Sequence, residues 1–66
     1  MRAGREGSRL KAAMEREGME VRDLAKKTGI TGKTIYAYLA GSSVPNAEYA
    51  ILIARALGTT VEELWG

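Results

Sequence analysis

Val21-Arg22-Asp23-Leu24-Ala25-Lys26-Lys27-Thr28-Gly29-Ile30-Thr31-Gly32-Lys33-Thr34-Ile35-Tyr36-Ala37-Tyr38-Leu39-Ala40 is the most informative run in this 66-residue chain. Val21, Leu24 and Ala25 fall at i, i+3 and i+4, the spacing of a short amphipathic helix. Met19 and Leu24 form a hydrophobic staple around Glu20, a poor N-cap, so this helix has a soft start. Gly29 closes it with the backbone angles that a sharp turn needs. Thr31 is a good N-cap for a second helix, with Ile30 and Ile35 as its staple. Ile35, Tyr38 and Leu39 then make a buried stripe that Gly41 ends. Ala25 is small where the two helices must approach, and Ile30 plugs the turn into the core. The second helix is therefore expected to be held rigidly by one face while the other looks outward.

The rest of the chain divides at Gly and Pro. Residues 8–17 carry Leu10, Ala13 and Met14 at helical spacing, and Gly18 ends that helix. Residues 42–45 read as a loop. Asn46 caps a helix with Ala47, Ala50, Ile51, Ala54 and Leu57 on one face, closed by Gly58. Tyr49, Leu52 and Ala56 form a second apolar stripe on that helix. Thr60-Val61-Glu62-Glu63 reads as a capping box, with Leu64 and Trp65 packing back. Gly4 and Gly7 point to a flexible arm over residues 1–7, followed by a single domain over 8–66. No strand alternation, repeat or low-complexity segment is visible. The expected fold is all-α, with five helices.

Composition narrows the function. There is no Cys and no His, which removes disulfides, thiolate chemistry and the commonest metal ligand and general base. Adjacent Glu62 and Glu63 point to different sides of a helix, so they are not an acid/base pair. Gly32-Lys33-Thr34 looks like the tail of a phosphate-binding loop, but that loop needs Gly at position 27, where this chain has Lys. No enzyme, cofactor, metal or small-molecule substrate is expected. No apolar run is long enough to span a bilayer and no signal-like h-region opens the chain, so the default expectation is a soluble cytoplasmic protein. Net charge is only +2, but residues 1–40 carry +4 and residues 41–66 carry −2. A basic half suits a polyanion such as double-stranded DNA; the plain alternative is chance asymmetry on a solvated surface.

Two compact helices around a Gly-containing turn make a helix-turn-helix. The chain resembles the Cro/lambda-repressor type of helix-turn-helix domain, the Xre family, from about Ser8 to Trp65. The likeness rests on Arg9-Leu10-Lys11, residues 24–31, Thr34-Ile35, Gly41, Pro45, Ile53-Ala54-Arg55-Ala56-Leu57-Gly58 and Val61-Glu62-Glu63-Leu64-Trp65. It implies a compact five-helix domain that binds DNA sequence-specifically, with the helix Gly32–Ala40 in the major groove and the helix before it across the backbone. Thr31, Gly32, Lys33, Thr34, Tyr36 and Ala37 then occupy the base-facing positions. Lys33 can donate to guanine O6 and N7, Thr31 and Thr34 can bond bases or phosphates, and Tyr36 and Ala37 can touch thymine methyls. Arg2, Arg5, Arg9, Lys26, Lys27, Ser42 and Ser43 are the candidate phosphate contacts. Lys26 and Lys27 also complement the dipole at the end of their own helix.

The chain departs from the family pattern in four places. Val21 stands where a phosphate-contacting Gln is usual, and Gly32 where a long polar reader is common. The loop Gly41-Ser42-Ser43-Val44 lacks the usual cation. These changes remove donors and predict a shallow salt dependence. Met14 and Leu39 replace an Arg–Glu ion pair, and losing both partners together strands no charge; the two side chains are expected to touch. The reading is a DNA-binding transcriptional regulator, a repressor or an antitoxin-like or phage-type regulator. It is expected to act as a homodimer through Tyr49, Leu52, Ala56 and Trp65. The alternative is a protein-interaction module on the same fold, using Tyr49 and Leu52.

Overall fold

The computed structural model describes residues 5–66, with side chains from residue 9 onward. The chain forms five helices in order: α1 (Arg5–Arg16), α2 (Val21–Thr28), α3 (Gly32–Ala40), α4 (Ala47–Leu57) and α5 (Val61–Trp65). No strand is present among the described residues. Helix α1 starts three residues before the expected Ser8, so residues 5–7 of the expected arm are helical, while residues 1–4 lie outside the described residues.

Three of the starts follow directly from the capping residues. The Thr31 hydroxyl accepts the Thr34 N–H at 3.3 Å, the Asn46 amide oxygen accepts that of Tyr49 at 2.8 Å, and the Thr60 hydroxyl accepts that of Glu63 at 3.1 Å. Each satisfies a backbone donor that the helix itself leaves orphaned, and each contributes about 1 kcal/mol. The soft start at Glu20 is firmer than the sequence indicated. The Asp23 carboxylate accepts the Glu20 N–H at 2.9 Å, the returning half of a capping box.

The α2–α3 turn is held by Thr28 as well as by glycine. The Thr28 hydroxyl donates to the Leu24 carbonyl at 2.8 Å and accepts the Ile30 N–H at 3.1 Å, bridging the last turn of α2 to the linker. Gly29 sits at φ 79° and donates to the Ala25 carbonyl at 2.8 Å. A Cβ there would meet nothing within 4 Å, so only backbone strain opposes a side chain. Gly29→Ala is therefore expected to cost about 1–2 kcal/mol, read from the shift in urea midpoint with an unchanged slope.

Every helix sends at least one side chain to the centre. Leu10, Leu24, Ile35, Ile53, Leu57 and Leu64 are fully buried, and no polar or charged side chain is buried with them among the described residues. Helix α1 packs on α3 and α5, α2 on α3 and α4, and α4 on α5. On α4 the inward residues are Ala50, Ile53, Ala54 and Leu57; of the expected core face, Ile51 is 46% exposed and Ala47 is exposed too. Met14 is buried and Leu39 is half-buried against the same core, and both line one groove beside α1, in place of the family's charged pair.

Tyr38 closes the core at its edge, where its ring meets Trp65 edge-on with centroids 6.4 Å apart. Burial raises its phenol above the ordinary value of 10.0, and the nearby Tyr49 adds to the rise. The folded protein holds this proton more tightly than the unfolded chain does. Its contribution to stability is therefore complete below pH 10.0 and is lost as pH rises through the raised value. Denaturation on both sides of that pH is expected to show an alkaline loss that Tyr38→Phe reduces.

Candidate nucleic-acid interface

Helix α3 turns Ile35 and Tyr38 inward and a different stripe outward. Lys33, Tyr36, Ala37 and Ala40 stand at i, i+3, i+4 and i+7, so they share one face. Lys33, Tyr36 and Ala40 are exposed and Ala37 is half-buried. Tyr36 is the most open large apolar side chain on the helix, at 62%. Lys33 pairs with no carboxylate among the described residues. Thr31 is exposed and Gly32 and Thr34 are half-buried at the start of the same helix. The six expected base-facing residues thus lie within seven consecutive positions, on an element anchored by its opposite face.

The polar groups of this segment are partly committed to one another. The Thr31 and Thr34 hydroxyls are 3.0 Å apart and hydrogen-bonded, beside the cap itself. Ser42 donates its one hydroxyl proton to the Ala37 carbonyl at 3.1 Å, so in this arrangement it has no donor left for a phosphate. Ser43 is exposed. Gly32 is not required by packing. A Cβ there would stand 3.5 Å from the Val21 Cγ1, an ordinary van der Waals distance.

Arg9, Lys26 and Lys27 are exposed as expected. Arg2 and the side chain of Arg5 lie outside the described residues. A cation that the sequence does not single out joins them. Arg22 lines a shallow groove between α2 and α3 together with Lys26, Gly32 and Tyr36. The available signal is the i, i+4 spacing of Arg22 and Lys26, which puts both on one face of α2. Arg22 reaches Glu20 at 3.5 Å, but its side chain is 85% exposed, so that ion pair holds it weakly. Two cations beside the outward stripe of α3 give the surface its positive rim.

The expected interface residues are not equivalent. Tyr49 and Leu52 are each 38% exposed, and Ile51 joins them at 46%. Ala56 and Trp65 are half-buried and pack against the core. The Trp65 indole N–H is buried without a hydrogen-bond partner among the described residues.

No curated protein and no solved structure matches the chain. A family model described as "Helix-turn-helix" matches residues 10–64, from the first buried leucine to the last. That family is a class of DNA-binding regulatory domains and not of enzymes. No described helix is long and apolar enough to cross a membrane. With α2, the Gly29 turn and α3 in the required arrangement and the match running over most of its length, the chain belongs to the helix-turn-helix family of the Cro/lambda-repressor type.

Proposed function

We propose that this protein is a sequence-specific transcriptional repressor that inserts α3 into the major groove and binds as a homodimer. The observation that carries the reading is the outward stripe of α3, headed by Lys33, which pairs with no carboxylate among the described residues, and mounted on a helix whose other face is buried. Lys33 donates to guanine, while Tyr36, Ala37 and the Thr31 and Thr34 methyls meet thymine. Gly32 lets the backbone approach the bases. Arg9, Arg22, Lys26, Lys27 and Ser43 meet phosphates and set register and affinity, and Ser42 does so only after releasing Ala37. A domain seated in the groove blocks other proteins there, which is repression in its simplest form.

The dimer reading rests on the exposed Tyr49, Ile51 and Leu52, with Ala56 and Trp65 at the margin of the patch. Glu48 and Arg55 are exposed four residues before and three after Leu52. An antiparallel pairing of two α4 helices sets each Glu48 beside the second copy's Arg55, as a two-fold interface requires. Such a dimer addresses half-sites about 34 Å apart.

The test is titration of mixed-sequence duplex DNA at two salt concentrations, with light scattering on the protein alone. Binding at low salt, by a dimeric species, that weakens at high salt is the expected result. Absence of binding at low salt rejects the DNA reading and leaves the same apolar patch as the surface of a protein-interaction module. A monomer at high protein concentration removes the proposed interface.

A further inference from the structure

The chemistry left outward on α3 is mostly carbon. The helix carries no Arg, Asn, Gln, Asp or Glu, so of the side chains that pair with two groups on a base edge it has only a lysine. Its threonine hydroxyls are partly committed. Thr31 and Thr34 use one of their two hydroxyl protons on each other at 3.0 Å, and Thr31 also accepts the Thr34 N–H. Ser42, just past the helix, spends its proton on the Ala37 carbonyl. What the outward stripe offers behind Lys33 is Tyr36 at 62% exposure, an aromatic ring ending in one hydroxyl, and the methyls of Ala37 and Ala40. The major groove offers one apolar group in return, the C5 methyl of thymine.

We propose that α3 reads its site chiefly through thymine methyl groups, with Lys33 as the one charged reader. The inference rests on the DNA-binding reading above and specifies the site it selects. A guanine faces Lys33, and the steps facing Tyr36, Ala37 and Ala40 carry thymine. A cytosine at the steps facing Ala37 and Ala40 turns its N4 amino donor toward methyl carbon that cannot accept it, so discrimination there comes from an unmet hydrogen bond as much as from a gained apolar contact. The site is therefore sensitive to an atom group that leaves base pairing untouched.

That sensitivity can be probed first on the DNA alone, with the protein unaltered. Selection from a random duplex pool supplies the preferred sequence, and each thymine of a half-site is then replaced in turn by deoxyuridine, which removes only the methyl. One or two positions per half-site are expected to weaken binding about fourfold each, the worth of one buried methyl-sized group. Ala37→Gly, checked for folding by circular dichroism, is expected to abolish the uracil effect at one of them. If the selected duplex is bound equally well with uracil throughout, or contains no thymine in the half-site, the methyl-reading proposal is overturned while DNA binding stands. If no duplex is selected at all, the DNA-binding reading fails and takes this proposal with it.

Discussion

Ile35→Ala is expected to lower the melting temperature of the domain by tens of degrees. Ile35 is fully buried on α3, in a centre to which every helix contributes. Removing three carbons there loses their transfer free energy and leaves a cavity, about 2–5 kcal/mol together. A domain of 66 residues has about 3–10 kcal/mol to lose. No disulfide softens the loss, because the chain has no Cys. Ile51→Ala is the internal control. It removes the same atoms from a side chain that is 46% exposed, and in protein dilute enough that the proposed α4 pairing does not form, it is expected to change stability by about 0.5 kcal/mol or less. Thermal melts followed by circular dichroism measure both. Similar losses from the two substitutions would mean that α4 does not present Ile53 inward.

That pair also marks where the sequence is legible and where it is not. Caps and stops are readable because their chemistry is local: Thr31, Asn46 and Thr60 each accept a backbone N–H three residues on, and Gly29, Gly41 and Gly58 each take the positive φ that ends a helix. The phase of α4 is not readable in full. Ala50-Ile51-Leu52-Ile53-Ala54 is an unbroken apolar run; Glu48 and Arg55, seven residues apart, put Ile51 and Leu52 on the solvent side, but inside the run itself nothing polar marks the face, and packing against α2 and α5 turns Ile53 inward. Gly4 and Gly7 argue for a first helix that starts at Ser8, whereas Gly7 lies inside α1, where glycine is costly but tolerated. Helix α3 and its outward residues are legible as a pattern. The commitments of Thr31, Thr34 and Ser42 to one another and to the backbone are not, since a hydroxyl's partner depends on where the chain brings it. Arg22 does not stand out in the sequence because its importance lies in standing beside Tyr36, a proximity between helices.

Lys33→Ala is expected to have opposite effects on binding and on folding. Lys33 lies in the first turn of α3, where a cation opposes the helix dipole, and no described carboxylate offsets it. Its removal is thus expected to leave the melting temperature unchanged or slightly raised. On the DNA side it removes the one charged reader of the helix. The loss is about 1–3 kcal/mol per half-site, roughly five- to 150-fold, with specificity relaxed at the guanine it faces. A symmetric dimer suffers that loss twice on a palindromic site. Lys26→Ala, at the rim, has a different signature. Binding weakens about equally on all sequences, and the slope of log affinity against log salt becomes shallower by about one for each phosphate left without its cation. Titrating both variants against the selected duplex and a scrambled one at several salt concentrations separates the two roles. Equal losses on both duplexes for Lys33→Ala would reduce Lys33 to a phosphate-binding cation. A loss confined to the selected duplex, in a protein at least as stable as the original, would show a side chain kept at the expense of the fold because it reads a base.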